Sequence, residues 1–357
     1  MKKNREFAVV YCEGAFNTTN GKTAHGLVRF SERFTIVAVI DSKWNGQDSG
    51  YVLDRVKNQI PVVSSLQEAL TLATRQGQLV RTFVIGLAPD GGRLPQPVLK
   101  DIKEALRSKL NVVSGLHDFL SENEELVKLA ERYHCTLTDV RKPPPRDQLH
   151  FFSGKIQEVT SLKIAILGTD SAVGKRTTAW KLVNGLRSNG YRAEMVGTGQ
   201  TAWLQGARYS IILDSLVNDF VAGEIEHAIH EAWRKEHPHV IVIEGQGSLM
   251  NPAYPGGYEI LAAGRPDLVI LQHAPRRKEY DGFPGHPLHP INHQILAIEV
   301  VSGKKVSAIT LNHEGMNRYD IERECLKLKD QTGIPAMDVL EDGADALVTL
   351  INPYIRT

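Results

Sequence analysis

The stretch 163–180, KIAILGTDSAVGKRTTAW, decides the fold. It opens on an apolar run of the length and composition of a buried parallel strand. It continues through a glycine-bearing loop into a segment of helical composition. Strand, glycine loop and helix in that order make a phosphate-binding loop. The glycines let backbone N–H groups converge on an anion, and the helix adds the partial positive charge of its N-terminus. Gly168 and Gly174 bracket five residues, Thr169 to Val173, with Asp170 among them, and Lys175 follows as a mobile cation for phosphate oxygens. The common pattern G-x-x-x-x-G-K-[ST] has a shorter gap and a hydroxyl directly after the lysine. Here Arg176 takes that place, and Thr177 and Thr178 come one and two positions later. Efficient magnesium-dependent phosphoryl transfer is not expected from such a loop. An extra arginine suits a ligand rich in fixed phosphates, such as an adenosine diphosphate moiety.

Outward from this loop, the second half of the chain alternates strands and helices. LKIAILG, AEMVGTG, HVIVIEG, DLVILQH and KVSAITLN read as strands, and KRTTAWKLVNGLRSNG and SLVNDFVAGEIEHAIHEAWRKE as helices. The first half does the same, with strands at FAVVYCEG, FTIVAVIDS, RTFVIGLAP and NVVSGLHDFL and helices at SLQEALTLAT and QPVLKDIKEALRSK. Such alternation implies open, mostly parallel sheets. The prolines of KPPPRDQLH, 142–150, break regular structure, and the domain boundary is placed there. The expected fold is α/β: a Rossmann-like open parallel sheet over 1–145 and a P-loop NTPase-like three-layer α/β domain over 146–357. Two long loops, NPAYPGGYEILAAGRPD and HAPRRKEYDGFPGHPLHP, follow the third and fourth strands of the second half, where loops usually carry function.

Composition narrows the class. A chain of 357 residues can bury two cores. Its hydrophobic fraction of 42%, charged fraction of 23% and net charge of +1 are those of an ordinary globular enzyme, with no footprint for nucleic acid. Three dispersed cysteines fit a reducing compartment. The N-terminal apolar run is too short for a signal peptide, and none approaches the about 18–20 residues of a membrane helix. A cytoplasmic protein with no membrane partner is the expectation.

Further candidates lie at strand ends, where ligands bind in open α/β sheets. Glu244 closes HVIVIEG; it can hold Mg²⁺ through water, act as a base, or cap the glycine turn made by Gly245 and Gly247. Asn312 closes KVSAITLN; it is either a turn residue or a reader of the adenine edge, since its amide offers donor and acceptor together. The loop 273–293 carries Arg276, Arg277, Asp281, His286 and His289. Its histidine spacings do not match zinc sites, and no metal is expected there. Arginines that grip carboxylates, with Asp281 or a histidine moving a proton, are the better reading. Asp214 or Asp219 is a further metal candidate, although the five-residue spacing suits no single helix face. In the first half, Asp41 ends the second strand, where dinucleotide folds bind a ribose, but the preceding turn lacks G-x-G-x-x-G. Glu13, Lys22 and Arg93 belong to a polar set near strand ends that suits a dicarboxylate substrate.

GTDSAVGK resembles the loop of dethiobiotin synthetase and its relatives, G-T-D-x-x-V-G-K-T, in which the hydroxyl after the lysine binds Mg²⁺. The chain as a whole resembles a bacterial and archaeal family long labelled as of unknown function. EGAF, GKTAHGLVRF, VAVIDS, IGLAPDGGRLP, VVSGLH, GTDSAVGKRTT, GTGQTAWLQG, DSLVNDFVAGEIE, EGQGSLMNPAYPG and HAPRRKEYDGFP carry that resemblance nearly end to end. It implies a Rossmann-like half, a P-loop half, and N-acetyl transfer from acetyl-CoA to an acidic amino acid, D-glutamate in some members. Under that reading Gly168, Thr169, Asp170, Gly174, Lys175, Arg176, Thr177, Thr178 and Asn312 hold the cosubstrate. Glu13, Lys22, Arg93, Arg276 and Arg277 hold the amino acid, and Glu244, Asp281, His286 or His289 moves the proton. P-loop relatives of this type commonly form homo-oligomers. An ATP- and Mg²⁺-dependent carboxylate ligase or kinase of the dethiobiotin synthetase type is the alternative, and a non-catalytic nucleotide-binding regulator is the second.

Overall fold

The computed structural model describes residues 5–356; the ends of the two expected domains, 1–4 and 357, lie outside the described residues. The chain forms two compact α/β units. One comprises residues up to 143 together with Gln200–Gly206, and the other Pro144–Gly199 with Ala207 onward.

The strands of the first unit are β1 (Glu6–Tyr11), β2 (Phe34–Ile40), β3 (Val62–Val63), β4 (Val80–Ile85), β5 (Asn111–Ser114) and β6 (Leu137–Asp139). They pair in the order β3-β2-β1-β4-β5-β6, parallel throughout, which is the Rossmann order. Helices α1 (Lys22–Arg29), α2 (Ser49–Asp54), α3 (Leu66–Arg75), α4 (Val98–Arg107) and α5 (Glu124–Tyr133) connect them. Val9, Ala38, Phe83, Val84 and Val112 are fully buried, as β-branched and aromatic runs covered on both faces must be.

The strands of the second unit are β7 (Leu162–Gly168), β8 (Ala193–Gly197), β9 (Tyr209–Ser210), β10 (Val240–Glu244), β11 (Leu268–His273), β12 (Val306–Leu311) and β13 (Ala336–Met337). Their order, again all parallel, is β13-β12-β11-β7-β10-β8-β9. Its helices are α6 (Lys175–Ser188), α8 (Asn218–Glu236), α9 (Tyr258–Gly264), α10 (Ile291–Ser302), α11 (Arg318–Thr332) and α12 (Asp345–Ile351). β7 lies centrally between β11 and β10, so the loops leaving these three strands converge at one end of the sheet. This is the P-loop architecture.

Several elements depart from the sequence expectation. α9 forms inside the glycine- and proline-rich stretch read as a loop, and Lys22, placed in a polar set near strand ends, opens the helix α1. Helix α7 (Gln200–Gln205) follows β8 in sequence but packs within the first unit. Leu204 is fully buried in that unit's core, and the Arg33 guanidinium lies 3.9 Å over the Trp203 ring. Asp41, at the strand end where dinucleotide folds bind a ribose, is fully buried and accepts from the Phe16 and Lys43 N–H groups at 2.9 and 3.0 Å. Its carboxylate therefore ties the turn after β1 to the turn after β2. Among the described residues no helix is long and apolar enough to cross a membrane.

Candidate phosphate-binding site

The loop between β7 and α6 is built from the inside out. Gly174, immediately before the helix, has φ +110°, a conformation that side-chain-bearing residues rarely adopt. Ala172 also has positive φ, at 50°. The Lys175 ammonium donates to the Asp170 carbonyl at 2.6 Å and the Gly247 carbonyl at 2.7 Å. It thus ties the phosphate loop to the loop after β10. Burial lowers its pKa to about 8, against the opposing pull of Asp170 and Glu244.

Asp170 is fully buried, and both its oxygens are engaged. Oδ1 accepts from Ser171 N and Asn251 Nδ2, each at 2.7 Å. Oδ2 accepts from Arg277 Nη1 at 2.7 Å and Asp281 N at 2.9 Å. Arg277 donates also to the Ser171 carbonyl at 2.7 Å. Arg277, expected to grip substrate, is therefore the partner of a buried carboxylate, and Asp170, expected at the cosubstrate, is the post to which three loops are fastened. Asp281 accepts from Ser171 Oγ at 3.0 Å.

β11 supplies a second brace. Gln272 is buried; its Oε1 accepts from Thr178 Oγ1 at 2.5 Å and Thr310 Oγ1 at 2.6 Å, and its amide faces Gly174. The neighbouring His273 bonds Thr169 Oγ1 through Nδ1 at 3.0 Å, and burial lowers its pKa to about 4. Asn312 donates to the Val173 carbonyl at 3.1 Å and accepts from Glu314 N at 3.0 Å. Its nitrogen braces the phosphate loop and its oxygen closes the turn after β12, so reading an adenine edge would fall to its remaining N–H. Gln272 was not among the sequence candidates. The signal was present, as a polar side chain inside the otherwise apolar run LVILQ.

Glu244 is buried at the end of β10 and accepts from Thr198 N at 3.0 Å. Burial pushes its pKa up, while the Arg176 charge, the Thr198 N–H and Lys175 pull it down. Arg276 pairs with Asp320 at 3.2 Å near the surface. His289 bonds Tyr280 Oη through Nδ1 at 2.7 Å. Tyr280 Oη accepts from Gln294 Nε2 at 3.2 Å, and the same amide reaches the Thr169 carbonyl at 3.3 Å. That chain links the phosphate loop to an open cleft of about 410 Å³ lined by Met250, Pro252, Tyr280, His286, Leu288 and His289. Of the remaining candidates, Thr177 lies half-buried in the first turn of α6. Glu13, Lys22 and Arg93 belong to the first unit. There Glu13 accepts from Ser42 N at 2.8 Å, Lys22 opens α1, and Arg93 pairs with Asp118 at 3.1 Å.

A P-loop implies Mg²⁺, and the residues present fit it poorly. The place of the metal-ligating hydroxyl belongs to Arg176, and the Thr178 hydroxyl is engaged by Gln272. The described residues contain no group of three or more His, Cys, Asp or Glu side chains arranged to hold a metal.

Comparison with known proteins agrees with this architecture. Residues 150–348 match a family model described as a domain of unknown function, DUF1611_C, P-loop domain. Residues 42–143 match one described as DUF1611_N, Rossmann-like domain. The crystal structure of a DUF1611 family protein from Anabaena variabilis ATCC 29413 is similar over 98% of this chain and 100% of its own, with a TM-score of 0.88 and 28% identity. A protein from a Pseudoalteromonas species named D-glutamate N-acetyltransferase is 30% identical over 275 residues, 75% of this chain and 80% of that protein. One of the same name from Tritonibacter scottomollicae is 30% identical over 285 residues, 78% and 83% of the two chains.

Proposed function

The chain belongs to the DUF1611 family, and on that footing we propose that it transfers the acetyl group of acetyl-CoA to the amino group of an acidic amino acid, D-glutamate first among them. The observation that carries this reading is a phosphate cradle that keeps its lysine, replaces the metal-binding hydroxyl by Arg176, and connects to a histidine-bearing cleft. Such a loop holds phosphates without cleaving them. The names of the two relatives support the same chemistry.

In this reading the loop 168–178 and the N-terminus of α6 bind the cosubstrate phosphates. Lys175 exchanges its two carbonyl partners for phosphate oxygens. The amino acid enters the cleft beside Tyr280. Arg276, exposed and only surface-paired, is available to its carboxylates, whereas Arg277 stays with Asp170. The acceptor ammonium must lose a proton before its nitrogen can attack an acyl carbon. His289 serves as that base when its Nδ1 carries hydrogen and donates to Tyr280 Oη, which leaves the Nε2 lone pair for the amine. Burial raises the Tyr280 pKa, so the phenol stays protonated and holds the ring in place.

Release of free coenzyme A from acetyl-CoA, followed with a thiol reagent across D- and L-amino acids, tests the proposal. Release dependent on D-glutamate is expected, and a His289→Ala variant should lose about 100-fold or more in rate. Absence of release with any acidic amino acid would sink the reading. ADP formation that requires Mg²⁺ would favour a ligase or kinase instead.

A further inference from the structure

We propose that Arg176 stands in for the magnesium ion of this fold, so that the loop binds the phosphates of its ligand without a divalent cation. The inference rests on the phosphate-bearing cosubstrate proposed above and specifies how that site holds it.

In a metal-using P-loop, two protein groups position the cation: the hydroxyl after the lysine, and an acidic residue at the end of a neighbouring strand, acting through water. Both places are filled here. The first is Arg176, the second residue of α6. The second is Glu244, at the end of β10, whose register with β7 places it opposite Ile166, two residues before Gly168. The positive charge of Arg176 favours the ionised form of Glu244, against the effect of burial. Glu244 is buried and receives the Thr198 N–H at 3.0 Å, so it is fixed in position. In the proposed arrangement this carboxylate serves as a counter-charge to Arg176 and not as a ligand that holds a metal through water.

The Thr178 hydroxyl, two places after Arg176, is withdrawn as well. Thr178 is 1% exposed and is committed to Gln272 at 2.5 Å. Gln272 spends its oxygen on two hydroxyls, Thr178 and Thr310, which turns its amide nitrogen toward Gly174. A carboxamide in that orientation offers N–H to an anion. The loop therefore presents an ammonium, a guanidinium and an amide donor. The guanidinium grips phosphate oxygens through paired N–H groups and cannot exchange with solvent as a metal ion can.

Calorimetric titration of the whole protein with coenzyme A, and separately with inorganic pyrophosphate, tests this, once in EDTA and once in excess MgCl₂. The expected result is affinities for coenzyme A within about twofold of each other in the two buffers. An Arg176→Ala variant should weaken binding about tenfold or more in EDTA. Arg176→Lys, which keeps the charge and guards against a folding artefact, should bind in EDTA more tightly than Arg176→Ala. Arg176→Thr restores the hydroxyl and should bind more tightly with Mg²⁺ than with EDTA. A wild-type affinity raised tenfold or more by Mg²⁺, or an Arg176→Ala protein of normal melting temperature that binds coenzyme A undiminished, would overturn the proposal. Metal-independent coenzyme A binding without acetyl transfer would leave it standing while removing the acetyltransferase reading. Metal-independent binding of pyrophosphate alone would leave it standing while removing coenzyme A as the ligand.

Discussion

Burial lowers the Lys175 pKa to about 8; Asp170 and Glu244 oppose that shift, and Arg277 and Arg176 add to it. Between about 8 and its ordinary 10.5, the unfolded chain carries a proton that the folded protein has released. Stability without ligand should therefore rise with pH across that window through this group, by linkage. Phosphate binding favours the ammonium, so affinity for coenzyme A should fall as pH climbs past about 8. Urea midpoints of the wild type and of Lys175→Met, compared at each pH, isolate the first effect. Equal slopes in both proteins would refute it. Lys175, Arg176 and the loop glycines were legible in the sequence because all sit within one short segment. The Asp170 network was not. Its partners Asn251 and Arg277 lie 81 and 107 positions away, and only the convergence of loops from β7, β10 and β11 brings them together. Arg277 accordingly reads as a substrate ligand from sequence and as a structural partner from geometry.

Helix α8 shows the same limit for a glycine. In DFVAGEIE, Gly223 reads as a mild weakening of a helix, which alanine would ordinarily relieve by about 0.5–1 kcal/mol. In the fold it lets the segment 150–156 lie directly on the helix; a Cβ there would come within 1.9 Å of the His150 carbonyl oxygen. Glu226, one turn on, receives Ser153 N at 2.6 Å and Ile156 N at 3.1 Å, and His150 stacks on His227 with ring centroids 3.6 Å apart. Gly223→Ala should therefore destabilise by about 1–3 kcal/mol, as overpacking does. The fall in melting temperature should come with faster proteolysis within 144–156. An unchanged or raised melting temperature would contradict the packing. Long apolar strands such as β7 and β10 declare themselves by composition. The two-residue strands β3, β9 and β13 do not, because a pair of residues carries no periodicity.

Across the whole chain, the two α/β halves and the proline-rich break between them are visible in the alternation of strand and helix. The exception is the excursion at 200–206. Gln205 caps the end of α1: its Nε2 donates to the Gly26 carbonyl at 2.8 Å and the Phe30 carbonyl at 3.0 Å, and its own carbonyl accepts from Glu32 N at 2.6 Å. Nothing in GTGQTAWLQG announces this, since a short amphipathic helix after a strand has the same composition wherever it docks. Gln205→Leu removes both side-chain donations and should cost about 1–3 kcal/mol. Hydrogen exchange should report the loss at the C-terminal turn of α1, in the first unit, although the altered residue lies beyond β8 of the second. Loss of protection only near the mutated helix would argue otherwise. This excursion also bears on how the protein can have been inherited. A gene cut between the halves at 143/144 leaves the first without Leu204, which is buried in its core, and leaves the amphipathic helix that carries it on the second. Neither half is therefore a contiguous stretch of the gene, and an exchange that keeps each unit whole has to carry the segment 200–206 with the first.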